Sequence, residues 1–154
     1  MAETPTRDSK VTLREVTAET VRTICSLKVS EKQNQFVAPN AISISQAHFA
    51  KEAWFRAIYA DDTPVGFIML HDDPEKPEYF LWRYMIAHEF QGRGFGAQAI
   101  RLVIEHVRTR PNAKRFLTSV VPGEGSPQGF YEGQGFKLTG DEEDGELVMA
   151  MELE

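Results

Sequence analysis

QGRGFGAQAI, residues 91–100, sets three glycines around an arginine and a phenylalanine and runs directly into an amphipathic stretch. It fits two phosphate-binding patterns at once. Gly92, Gly94 and Ala97 satisfy the dinucleotide fingerprint G-x-G-x-x-A, whereas Gln91, Gly94 and Gly96 satisfy a different turn, Q-x-x-G-x-G. The first normally opens a fold and is followed by several βα units on a parallel sheet, so the choice between the two decides the architecture.

The neighbouring sequence favours the second pattern. Upstream, WFRAIYA (54–60), the turn DDTP (61–64) and VGFIML (65–70) read as a β-hairpin, with aspartates and proline supplying the turn between two β-rich runs. DDPEKPE (72–78) is a second connection. It leads into YFLWRYMIA (79–87), where Phe80, Trp82, Tyr84 and Ile86 are expected on one face and Leu81, Arg83, Met85 and Ala87 on the other. Trp82, Arg83 and Tyr84 are unlike the apolar strand of a buried parallel sheet. The position about 20 residues on, where a ribose-binding acid belongs, falls near Asn112 and Lys114. No G-K-[ST] follows the glycines, which excludes a Walker loop. What remains is a turn whose successive backbone N–H groups open a helix N-terminus, an anion site in which glycine permits close approach. The plain structural alternative is a glycine-rich turn that holds nothing.

Working outward, VTLREV (11–16) predicts a first strand, and Thr17 a helix cap with Val21, Ile24 and Cys25 on one stripe of a helix reaching the low 30s. Pro39 and Asn40 break that pattern, and Ser43 is expected to cap a short helix to Lys51. Beyond the glycines, Ile100, Val103, Ile104 and Val107 repeat at i, i+3, i+4 and i+7, and Pro111 ends that helix. RFLTSVV (115–121) follows as a strand parallel to 79–87. Ser126 and Pro127 predict a helix start at N-cap and N1, and Gly135 its stop. Strands at 136–139 and 147–153 then flank GDEEDGE (140–146), read as a solvated hairpin tip, with Leu147, Met149, Met151 and Leu153 turned to the core. The pattern is α/β, with a mixed, mostly antiparallel central sheet and flanking helices. Residues 1–10 are expected to be a flexible N-terminus and 11–154 a single domain.

Composition narrows the function classes. A chain of 154 residues, 42% hydrophobic, has the length and apolar content of one globular domain. Its 23 acidic against 17 basic residues, net charge -6, argue against nonspecific nucleic-acid binding, which runs on clustered positive charge, and would suit a cationic substrate. The single cysteine, Cys25, cannot form an intrachain disulfide and reads as a reduced, buried thiol. MAETPTRDSK lacks an apolar leader core, and no apolar run is long enough to span a bilayer. A cytoplasmic protein without a membrane partner is expected.

The order of elements, QGRGFG after YFLWRYMIA, and FYEGQGF downstream resemble the GCN5-related N-acetyltransferase superfamily over roughly residues 11 to 153. Within it, LKVSEKQNQFVAPNAISISQA (27–47) and SVVPGEG…FYEGQGF…GELVM are similar to bacterial diamine and polyamine acetyltransferases. The resemblance implies transfer of acetyl from acetyl-CoA, with no metal, to a small-molecule primary amine such as spermidine or spermine, by direct attack in a ternary complex. It implies a splayed pair of strands at 79–87 and 115–121, and it allows a homodimer. Backbone amides from Gln91, Gly92, Arg93, Gly94, Phe95 and Gly96 would hold the CoA pyrophosphate, and the strand edge at Tyr84, Met85 and Ile86 would pair with the pantetheine arm.

Tyr131 matches the tyrosine that protonates the departing thiolate in many family members. A thiol of pKa about 8.5 leaves as an anion, and a phenol of pKa about 10 can donate to it. The acceptor poses the reverse problem, because an alkylammonium of pKa about 10.4 must shed a proton before it can attack. Glu31, Asp72 and Glu78 are candidates to take that proton or to hold the acceptor, and each is equally readable as a solvated carboxylate. Glu124 stands where relatives frequently carry an asparagine seven residues before the tyrosine, which removes an amide contact there. Two rival readings stay open at this point: a non-catalytic acyl-CoA-binding sensor or regulatory module, and a dinucleotide-binding oxidoreductase.

Overall fold

The computed structural model describes residues 4–33 and 37–153. Seven strands form one sheet in the order β1-β2-β3-β4-β5-β7-β6, where β1 is Val11–Arg14, β2 Ala53–Ala60, β3 Thr63–Asp73, β4 Glu78–Ile86, β5 Arg115–Val120, β6 Lys137–Glu143 and β7 Glu146–Glu152. Every neighbouring pair is antiparallel except β4 and β5. Helices α1 (Val21–Ser26), α2 (Asn40–His48), α3 (Phe95–Arg108) and α4 (Gln128–Gly133) complete the fold. No helix among the described residues is long and apolar enough to cross a membrane.

Two apolar layers sandwich the sheet. On one face, Ile100, Val103 and Val107 of α3 lie fully buried against Ile58, Ile68, Leu70 and Phe116. Each such side chain contributes about 1.5–3 kcal/mol over its exposed state. The helical period read from the sequence therefore names the face that packs. On the other face, Ile24 of α1 and the partly buried Ile44 and Ala47 of α2 cover Ala57, Phe67, Met69 and Met85.

Several boundaries differ from the sequence reading. The first helix is Val21–Ser26, entered from a turn in which Val21 N–H donates to Thr17 O at 2.8 Å, and it does not extend to the low 30s. Leu27 turns extended at ψ 130°, and Lys28 O accepts from His88 N–H at 2.8 Å, so this segment is drawn out along the 88–91 loop. Cys25 is half-buried rather than buried. The second helix begins three residues before Ser43, which is fully buried inside it instead of capping it. Pro64 is the second residue of β3, paired with Tyr59 at a bulge, rather than part of the turn; lacking an N–H, it tolerates that irregular rung.

The largest difference lies in β4. Met69 pairs with Arg83 but Leu70 with Leu81, leaving Trp82 as an extra residue in a β-bulge. Alternation therefore changes phase: Tyr79 and Leu81 face α3 before the bulge, and Tyr84 and Ile86 face it afterwards. The expected common face of Phe80, Trp82, Tyr84 and Ile86 does not form, and Trp82 joins the α1/α2 layer. Finally, β6 runs on to Glu143, its register with β7 shifting between Leu138 and Glu142, so the turn itself shrinks to Asp144 and Gly145 while the acidic residues of β6 stay exposed.

Candidate active site

The glycine turn meets the physical requirements of an anion site. A 3₁₀ turn at His88–Phe90 leads to Gly92 and Gly94 at φ 79° and 80°, and α3 begins at Phe95. A side chain at Gly94 would be strained in that left-handed conformation. Among the described residues, no hydrogen bond engages the N–H of Gly92, Arg93 or Gly94. The first turn of α3 holds no acidic residue of its own to offset the positive end of the helix dipole. Gln91 behaves differently from the expectation. Its N–H donates to His88 O at 3.3 Å and its side-chain Nε2 to Ile86 O at 2.8 Å, so it braces the loop from within. Arg93 does not line the adjoining cleft; its guanidinium lies 5.8 Å over the Phe90 ring and its Nη1 is buried without a partner. From the N-terminal segment, Arg7 donates to Gly92 O at 2.9 Å.

Beside this turn the sheet comes apart. β4 and β5 pair only at Phe80–Leu117 and Leu81–Thr118, although β4 continues to Ile86 and β5 to Val120. Thr118 Oγ1 donates to Leu81 O at 3.3 Å on the last rung. β3 occupies the other edge of β4 through Gly66–Ile86, so the edge at Tyr84, Met85 and Ile86 facing β5 is left unpaired by neighbouring strands. A cleft of about 1070 Å³ fills the gap and reaches the turn at Gln91, Gly92, Gly94, Phe95 and Gly96.

Tyr131 lies at the α3 side of this cleft. It is 6% exposed, with ring contacts to Tyr84, Phe130 and Phe136 at centroid distances of 6.3, 5.5 and 5.6 Å. The helix that presents it is held at both ends. Ser126 Oγ accepts from Gln128 N–H at 3.3 Å, although Pro127 rather than Ser126 occupies the N-cap. At the far end Phe136 N–H reaches Tyr131 O at 3.1 Å across Gly135, φ 109°. Burial pushes the Tyr131 phenol well above its ordinary value, with the Thr118 hydroxyl acting in the opposite direction. Burial does the same to Tyr84, reinforced by Tyr131. Both remain protonated at neutral pH, and a protonated phenol is a donor.

That shift has a consequence for stability. The folded chain keeps these protons above pH 10, where unfolded tyrosine releases them, so their contribution is complete below pH 10 and declines as pH rises further. Each tyrosine accounts for a slope of up to about 1.4 kcal/mol per pH unit. Urea midpoints measured from pH 9 to 11.5 should fall steeply above pH 10, and Tyr84→Phe should flatten that fall; an equally steep fall in the variant would contradict the assignment.

The opposite face of the sheet supplies a different chemistry. Ser119 alternates with Thr118, and Glu146 with Leu147, so both point toward the α1/α2 layer. Ser119 Oγ donates to Glu146 Oε1 at 3.2 Å. Arg83 Nη2 donates to Gln46 Oε1 of α2 at 3.2 Å; burial lowers its pKa while Glu146 works to raise it. Glu143, Asp144 and Glu146 all line the cleft. Sequence reading missed these three, yet the signal existed: once Leu147, Met149 and Met151 face inward, Glu146 falls on the other face.

Glu31, Asp72 and Glu78 do not line the cleft. Asp72 Oδ1 accepts from Arg110 Nε at 3.0 Å and Oδ2 lies 3.4 Å from His106 Nε2, tying the end of β3 to the end of α3. Its carboxylate is consumed by that ion pair. Glu78 is exposed opposite Asp73 at the start of β4, and Glu31 is exposed in the turn after α1. Glu124 is exposed, whereas Gly125, Ser126 and Pro127 line the cleft.

Comparison with known proteins agrees with this geometry. The model of the acetyltransferase (GNAT) family matches residues 21–136. A spermine/spermidine N(1)-acetyltransferase of Bacillus subtilis is 26% identical over 153 residues, covering 93% of this chain and 99% of that protein. Among solved structures, the PaiA N-acetyltransferase of Thermoplasma acidophilum in complex with coenzyme A superposes with a TM-score of 0.71 at 16% identity, covering 93% and 99% of the two chains. An acetyltransferase of Salmonella typhimurium that modifies the N-terminal serine of ribosomal protein L7/L12 superposes with a TM-score of 0.74 at 16% identity, covering 96% and 98%. These two structures share the fold.

Proposed function

The chain belongs to the acetyltransferase (GNAT) family, and from that premise we propose that its acceptor is a polyamine whose primary amine enters the cleft from the α1/α2 face. The observation that carries the reading is the wall of Glu143, Asp144 and Glu146 along one end of the cleft, a net negative surface even with Arg83 beside it. A polycation is attracted there and an acidic acceptor is repelled. The similarity to the Bacillus subtilis enzyme supports the same acceptor class.

Acetyl-CoA supplies the thioester. The free amides of Gly92, Arg93 and Gly94 and the α3 N-terminus suit its pyrophosphate, and the open edge at Tyr84, Met85 and Ile86 suits the amides of its arm. In this reading the carboxylates hold the cationic acceptor so that its amine, after losing a proton to solvent, faces the parted strands. Tyr131 stands on the other side of the sheet plane, where its O–H can donate to the departing sulfur as the C–S bond breaks and the C–N bond forms; the second proton, shed by the nitrogen as it becomes an amide, goes to solvent, from which the phenol is reprotonated. Attack from one face and departure toward the other fit direct transfer in a ternary complex.

Coenzyme A release should be measured with spermidine, spermine, short diamines, an aminoglycoside, free amino acids and a peptide N-terminus. Turnover should be highest with the polyamines, and silence on all of them would retire the acceptor class. Glu146→Gln should raise the KM for the preferred polyamine about 10-fold, the loss of one charge-assisted contact, while the KM for acetyl-CoA stays within about twofold. An unchanged polyamine KM would remove Glu146 from the acceptor site.

A further inference from the structure

Gln33 and Gln91 are 58 positions apart in sequence and face each other across the cleft rim as a reciprocal carboxamide pair. Gln91 Nε2 donates to Gln33 Oε1 at 2.8 Å, and Gln33 Nε2 donates to Gln91 Oε1 at 3.3 Å. The second N–H of Gln91 is the one that reaches Ile86 O at 2.8 Å. One side chain thus links three parts of the site: the end of β4, the phosphate turn, and the segment that follows α1. That segment is further fixed by His88 N–H to Lys28 O at 2.8 Å and by Gln33 N–H to Ser30 O at 2.9 Å. Val29 and Gln33 line the same cleft as Gly92 and Gly94.

We propose that Gln33 is a positioning residue that couples the acetyl-CoA turn to the acceptor side of the cleft, acting through Gln91. The inference rests on family membership and not on the identity of the acceptor. Two partly buried amides that satisfy each other fix both side chains in one arrangement, because breaking the pair strands a donor and an acceptor on each. Gln91 cannot turn without releasing Ile86 O, and Ile86 ends the strand edge offered to the pantetheine arm. Binding at the turn therefore stiffens the segment carrying Val29 and Gln33, and binding beside that segment stiffens the turn. By linkage each ligand must alter the affinity for the other by the same factor.

The experiment uses the full chain with Gln33→Leu, Gln91→Leu and the double variant, with coenzyme A affinity measured by calorimetry. Each single variant should weaken coenzyme A binding roughly fivefold, and the double variant should be no weaker than the worse single one. With any amine that the wild-type protein acetylates, the loss should appear in KM rather than kcat, and the enhancement of coenzyme A affinity by that amine should vanish in Gln33→Leu. Gln33→Glu, which retains an acceptor for Gln91 Nε2, should recover part of the loss. Additive effects in the double variant, or a lowered melting temperature with the coenzyme A affinity and its enhancement intact, would overturn the proposal. The calorimetric arm reads out even if every polyamine proves inert, so a wrong acceptor class and a wrong role for Gln33 give different results.

Discussion

Tyr131→Phe is expected to lower kcat by about 100-fold while leaving coenzyme A affinity within about twofold, the size typical of losing a positioned general acid. The substitution removes one oxygen from a ring that packs against Tyr84, Phe130 and Phe136, and the ring contacts persist. Burial keeps the phenol protonated far beyond neutral pH, so the donor is present throughout the working range. A donor already positioned where the thiolate charge develops needs no reorganisation at the moment of reaction, which is why a single O–H weighs heavily there. Steady-state rates at saturating amine and acetyl-CoA, paired with calorimetric coenzyme A binding, separate the two quantities. Wild-type kcat in the variant would strip Tyr131 of its role and leave it a core aromatic.

The second large effect is expected at Gly96. A methyl group there would collide with the hydroxyl of Tyr84 and approach Phe130 Cζ to 3.5 Å. Gly96 is buried in the first turn of α3, so relief requires the Tyr84 ring, stacked on Phe130 at 5.6 Å, to shift into the cleft that both rings line. Gly96→Ala should cost about 1–3 kcal/mol of stability and lower coenzyme A affinity at least about 10-fold, because the displaced ring belongs to the strand edge beside the phosphate turn. Tyr84→Phe removes the colliding oxygen. The double variant Gly96→Ala/Tyr84→Phe should therefore regain most of the lost melting temperature, measured by calorimetry. If the double variant were as unstable as Gly96→Ala, the collision with Tyr84 would not be the cause.

The phosphate turn and the amphipathic face of α3 were readable because their determinants are local: backbone conformation at Gly92 and Gly94, and a period of 3.6 residues at Ile100, Val103, Ile104 and Val107. Tyr131 was readable only through resemblance, since nothing about an isolated tyrosine reveals its burial. Glu31, Asp72 and Glu78 show their charge in the sequence but not their partners. Asp72 met Arg110 and His106, 38 and 34 positions away, and that pairing could not be seen before α3 was laid on the sheet.

By itself, then, the sequence determined the order of strands and helices, the site of the anion-binding turn and the acidic surplus, each a property of neighbouring residues. Only the tertiary structure decided which edge of β4 is open, where Trp82 shifts the alternation, and which carboxylates share a cleft with Tyr131. The reason is that strand register and splay are set by partners distant in the chain. One extra residue in a strand exchanges its two faces, and no local pattern records that exchange.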